Sequence, residues 1–167
     1  VGGVDLDLVL SYIMNYFTAL RKNDECVPLR INFTGNPLFA KTFKRETYQT
    51  HCMLGAQAPS MYANDKTAMV LLNNLLGGTS FNALLNLSLR EERGLTYNIE
   101  SNYTAYTDVG ICTIYFGTDE DKVTQCKTVI FDVCNSIMEH GLSEQQLIMY
   151  KQQLVGQLAL SFDNYVS

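Results

Sequence analysis

Residues 95–117 constrain the fold most. Leu95 to Tyr106 is rich in Thr, Tyr, Ile and Asn, and Val109 to Gly117 answers it with Val-Gly-Ile-Cys-Thr-Ile-Tyr-Phe-Gly. Only Thr107-Asp108 separates the two runs, which is the spacing of a hairpin turn, so the two strands pair antiparallel. Whatever else the chain builds has to pack around that hairpin.

The flanking segments read mainly as helices. Val4 to Leu20 is amphipathic, with Asp5 placed to cap it and Val9, Ile13, Tyr16, Phe17 and Leu20 on one face. Residues 21–46 have no clear period and hold Pro28, Gly35 and Pro37, so they read as a connector with a short extended piece at Leu29 to Phe33. Tyr48 to Ala58 alternates loosely and reads as a strand that Pro59 ends. Ala63 to Leu76 reads as a helix with Met69, Leu72, Leu75 and Leu76 on one side, stopped by Gly77 and Gly78. Ser80 to Glu92 restarts as a helix that buries Leu84, Leu85 and Leu89, and Gly94 ends it.

Beyond the hairpin, Thr118-Asp119-Glu120-Asp121 resembles a capping box, with acid where a helix dipole favours it. The helix it opens carries Val123, Cys126, Val129, Ile130, Val133, Ile137 and Met138, and Gly141 closes it. Ser143 with Gln146 forms a second capping box ahead of a long helix toward Phe162. The expected fold class is α+β, in two layers, with helices packed on a mainly antiparallel sheet.

The chain has 167 residues, 47% of them hydrophobic and 17% charged. That is globular composition in one domain, 1–167, and such a length buries roughly 70% of its unfolded surface. Net charge is −5, with no Lys/Arg block or basic stripe, so nucleic acid is not an expected partner. No apolar run approaches the roughly 20 residues of a membrane span. The chain opens on Val1 and reads as a fragment of a longer one. Cys26, Cys52, Cys112, Cys126 and Cys134 are odd in number and form no C-x-x-C, so ordinary thiols are expected, and a reducing, cytoplasmic compartment is favoured.

A metal site has little to draw on. His51 and His140 are the two histidines, and neither belongs to H-E-x-x-H or H-x-x-E-H, where two histidines on one helical face hold zinc. His140 is placed as a favourable charge at a helix C-terminus, and His51 as a plain strand residue. Gly77-Gly78-Thr79-Ser80 lacks a preceding strand and a phosphate-binding Lys, so helix breaking explains it better than anion binding. No G-x-S-x-G is present, and no Cys has an identifiable His partner.

The densest chemistry lies in Leu89-Arg90-Glu91-Glu92-Arg93-Gly94-Leu95-Thr96-Tyr97. A charged helix end meets a glycine break and then a strand, and the break can turn Arg90 and Tyr97 toward one spot. A guanidinium fork and a phenolic hydroxyl there suit a carbonyl or an oxyanion. The plainer reading is that Arg90 and Arg93 stabilise the helix end while Tyr97 packs.

With Leu75-Leu76-Gly77-Gly78 and Leu85 to Leu89 upstream, this stretch resembles the second-domain signature of the insulinase/pitrilysin-type zinc metallopeptidases, a group that includes the mitochondrial processing peptidases. Val1-Gly2-Gly3-Val4-Asp5 resembles the end of that domain's first strand, so the resemblance spans essentially the whole chain. It implies two homologous α+β domains facing each other across a chamber. One carries an H-x-x-E-H zinc motif. The other contributes an Arg and a Tyr seven positions apart, here Arg90 and Tyr97, on the turns set by Gly77, Gly78 and Gly94. These would grip the peptide carbonyl and stabilise the oxyanion beside the zinc. The implied partners are a peptide substrate and a homologous zinc-bearing domain, in the same chain or a partner subunit. This chain itself would hold no cofactor. Ala83-Leu84-Leu85 departs from the Ser-Arg-Leu often found after the family's glycine turn, and some relatives are non-catalytic scaffold or assembly subunits.

Overall fold

The computed structural model describes residues 3, 5–17, 35, 38–78, 80 and 82–163. The piece expected at Leu29 to Phe33, Cys26 and most of the first-strand resemblance at residues 1–5 lie outside them. Contacts group the chain into two units, Val1–Ile31 and Asn32–Ser167.

In the first unit, α1 spans Leu6–Phe17. Asp5 caps it as expected, its carboxylate accepting the Asp7 amide at 2.9 Å.

The second unit holds a three-stranded sheet and the helices that cover it. β1 is Thr50–Ala58, β2 is Asn98–Ala105 and β3 is Gly110–Thr118. The order is β1-β3-β2 with both pairings antiparallel, so the hairpin is one half of the sheet and β1 adds to its other side. Tyr106 N–H to Val109 C=O at 2.9 Å closes the expected two-residue turn.

α2 runs Lys66–Gly77, α3 Val123–His140 and α4 Glu144–Asp163. The core is built from Leu75 and Leu76 of α2, Leu85 and Leu89 of the next segment, Leu95, Ile99, Ile114 and Phe116 of the hairpin, Cys126 and Ile130 of α3, and Tyr150 of α4. Every second residue of the hairpin faces this core, the period-2 alternation that the strand pleat requires. The two-layer α+β architecture is therefore the one anticipated.

Three local details differ from expectation. The segment after the glycines is not an α-helix from Ser80 to Glu92. It forms a single helical turn at Leu84–Leu85 and then a π-helical stretch, Asn86–Glu91, in which Glu92 N–H reaches back to Leu87 C=O at 2.9 Å. Leu85 and Leu89, four residues apart, both lie in the core at 0% exposure each. Met138 lies off the α3 stripe at 75% exposure, because Cys126, Ile130, Val133, Cys134 and Ile137 already fill it. Asp119 makes no side-chain cap, and a short 3₁₀ turn, Glu120–Lys122, precedes α3 instead. The second capping box forms as read, with Ser143 and Gln146 bonded reciprocally at 2.9 and 3.3 Å.

Candidate functional site

The glycines build the frame of the site. Gly94 has φ +58°, a left-handed conformation that only glycine adopts cheaply. The reversal there sends Leu95 N–H back to Leu89 C=O at 2.8 Å and turns the chain from the π segment into β2. Leu95 C=O is then anchored by the buried Thr118 hydroxyl at 2.5 Å. Gly77 ends α2 hard against β2, and a Cβ placed there would stand 2.6 Å from Ser101 N. Gly78 donates its N–H to Asn74 C=O at 2.9 Å, closing the helix.

Between the end of α2, the π segment and β2 lies a cleft of about 420 Å³. Among the described residues β2 pairs only with β3, and its residues Asn98 to Asn102 form one wall. Asn74, Gly77, Gly78, Ser80 and Arg90 line the rest. The two arginines divide their work. Arg93 Nη1 binds Ser88 C=O and Glu92, both at 2.7 Å, and so stabilises the segment end. Arg90 faces the cleft and approaches Glu91 at 3.7 Å, with both side chains half exposed. A pair so exposed is weak and holds Arg90 loosely.

Tyr97 stands just outside β2, its N–H bonded to Gly117 C=O at 3.0 Å. It is not packed in the core, being 55% exposed. Its hydroxyl donates to Asp119 Oδ1 at 2.9 Å, while Lys122 Nζ holds Asp119 Oδ2 at 2.7 Å. The Asp119 hydrogen bond pushes the phenol's pKa up, and the Lys122 and Tyr97 hydrogen bonds push that of Asp119 down. Tyr97 does not line the cleft that Arg90 enters, so the two side chains flank the Gly94 turn from different surroundings.

Sequence reasoning missed two sets of residues. One is Asp119, which along the sequence reads as a helix cap. The other is an amide network in which the Gln153 and Gln157 side chains donate to Ser80 Oγ at 2.7 and 2.6 Å, and Asn74 donates to Gln157 at 2.6 Å. The i, i+4 spacing of Gln153 and Gln157 on α4 was the available signal. The network ties α4 to the glycine turn that borders the cleft. At the position of the missing arginine, Leu84 packs against the core between the buried Ala83 and Leu85.

The residues do not fit a zinc site. His51 Nδ1 pairs with Tyr115 Oη at 2.7 Å, and His140 Nδ1 lies 3.2 Å from Ser136 C=O at the end of α3. No group of three or more His, Cys, Asp or Glu side chains among the described residues is arranged to hold a metal. Burial raises the pKa of Cys52, Cys112 and Cys134, which keeps these thiols protonated and poor as ligands or nucleophiles. Purified alone, the chain is expected to carry no stoichiometric zinc by elemental analysis; one tightly held zinc per chain would contradict this account of both histidines. No helix among the described residues is long and apolar enough to cross a membrane.

Comparison with known proteins decides the family. The model of the peptidase M16 inactive domain matches residues 1–154. The chain belongs to the peptidase M16 inactive-domain family. An uncharacterized zinc protease of Bacillus subtilis, YmxG, is 32% identical over 123 residues, covering 74% of this chain and 30% of that protein. One from Mycobacterium leprae is 26% identical over 167 residues, covering 98% of this chain and 37% of its own length. The M16 inactive domain thus spans about a third of those relatives. Among solved structures, an M16 inactive domain from Pseudomonas fluorescens aligns with TM-score 0.62 and 29% identity over 66% of this chain and 27% of that one. A protease from Helicobacter pylori covers 100% of this chain and 40% of its own, with TM-score 0.71 at 18% identity, which supports the fold. The zinc-peptidase resemblance and the α+β architecture are both borne out.

Proposed function

We propose that this M16 inactive domain contacts peptide substrate and completes an active site whose zinc lies in a homologous domain, in the same chain or a partner subunit. The observation that supports this most is the cleft, which joins a guanidinium to a strand that, among the described residues, is paired on one side. An extended peptide can add to such an edge through main-chain hydrogen bonds, and Arg90 supplies a fork of donors for a carbonyl or carboxylate. Tyr97, exposed and hydroxyl-bearing at the mouth of β2, is the second contact. Arg90 reaches substrate from the cleft, and Tyr97 does so from beyond the Gly94 turn.

The test uses the intact protein with its zinc-bearing domain and a fluorogenic peptide. Tyr97→Phe is expected to lower kcat by roughly 10- to 100-fold and to change KM far less, because a contact made in the transition state acts on kcat. Arg90→Ala is expected to lower kcat/KM by a similar factor. A scaffold subunit would lose neither, so unchanged kinetics in both variants would favour a non-catalytic assembly role.

A further inference from the structure

A phenol has a single proton to donate. In this domain the Tyr97 proton is committed to Asp119 at 2.9 Å. The placement follows from the hairpin register. Asn98 pairs with Gly117, so Tyr97 and Thr118 stand opposite at the end of the ladder, and Asp119 is the next residue on. Asp119 also sits where a carboxylate would ordinarily cap the following helix, yet it forms no cap. Its two oxygens go instead to Tyr97 and to Lys122. The Lys122 pair alone would stiffen the corner between β3 and α3, so that role does not account for the second bond, which crosses the hairpin.

We propose that Asp119 is the positioning residue for Tyr97: its carboxylate fixes the ring and the phenolic oxygen at the end of the hairpin, from where the O–H turns about the C–O bond to a substrate oxygen on binding. This rests on the substrate-contacting role proposed above for Tyr97. While Asp119 accepts the proton, the phenolic oxygen can only accept; donation to a substrate carbonyl requires the O–H to leave Asp119. Lys122 keeps the carboxylate ionised and in place, and its own pKa is raised by the hydrogen bond to Asp119. The charged groups facing the phenol are Asp119 and Asp121, which favour its protonated form, and Lys122, which opposes them. Removing the Asp119 charge therefore moves the Tyr97 titration to lower pH.

Two measurements on the intact protein test the proposal. In the first, Asp119→Ala is expected to lower kcat roughly threefold to tenfold with KM within about twofold, because a ring no longer fixed in place presents its oxygen to the substrate less often. The same substitution made on Tyr97→Phe should add less than about twofold, since it acts through the lost hydroxyl. An equal effect of Asp119→Ala in both backgrounds would overturn the proposal. In the second, the Tyr97 ring-carbon NMR signal, assigned by its absence in Tyr97→Phe, is followed with pH. Its midpoint is expected to fall in Asp119→Asn, and an unmoved midpoint would overturn the link. This second reading is independent of peptidase activity. If Tyr97→Phe leaves kcat unchanged, the substrate-contacting role fails, while the titration still decides whether Asp119 governs the phenol.

Discussion

Phe116→Ala is expected to lower the unfolding free energy by about 3–5 kcal/mol, the range for truncating a fully buried Phe. Phe116 is 0% exposed in the middle strand of the sheet, paired with Cys52 on one side and Ile99 on the other. Leu89, Leu95, Cys126 and Ile130 belong to the same core. These residues come from four different elements and the turn before β2, so they cannot all collapse into the space a ring leaves. The loss then combines the transfer term with most of the cavity term. Whole domains are stable by only about 5–15 kcal/mol, so this change removes a large share. Urea unfolding followed by circular dichroism measures it. Phe116→Leu keeps much of the volume and should cost about 1 kcal/mol. Equal midpoints for the wild type and the Ala variant would show that the ring is not packed as described.

The second large effect is at Gly77. Replacement by Val is expected to destabilise by about 2 kcal/mol and to push α2 away from β2. A Cβ at Gly77 would lie 2.6 Å from Ser101 N, 2.8 Å from Ser101 Cβ and 3.1 Å from the Glu100 carbonyl carbon. Two of those atoms are backbone and cannot rotate aside. Val gains roughly 0.5 kcal/mol over Gly in helix propensity, but overpacking costs about 1–3 kcal/mol, so the clash decides the sign. Gly55 on β1 is the control. Nothing lies within 4 Å of a Cβ there. Val at Gly55 should change stability by no more than about 0.5 kcal/mol, as open surface positions do. Because Gly77 and Ser101 both border the cleft, Gly77→Val should also weaken peptide turnover, which the fluorogenic assay reads in the same samples.

Much of the fold was legible because its signals are local. The hairpin turn, the Ser143–Gln146 capping box and the glycine stops at Gly77 and Gly94 each depend on a few neighbouring residues, and all form as read. The apolar period on α3 placed Cys126 and Ile130 in the core, where they are 0% and 1% exposed. The π-helical stretch was not legible, because its pattern of leucines also fits an ordinary helix.

The site shows the same division. Arg90, Gly94 and Tyr97 stand out in the sequence by type and spacing, and their resemblance to a zinc-peptidase signature is matched by membership of the M16 inactive-domain family. The absence of a zinc motif is equally a matter of counting His51 and His140. Asp119 reads as a helix cap, since only its neighbours along the chain are visible there. Its use depends on register: the pairing of Asn98 with Gly117 carries it to Tyr97, 22 residues earlier. The cleft is decided the same way, by the end of α2 packing against β2 at Ser101. Local chemistry, then, set the elements, the turns and the candidate residues. Which side chains share a partner was left to strand register and helix packing, because those contacts join residues far apart in the chain.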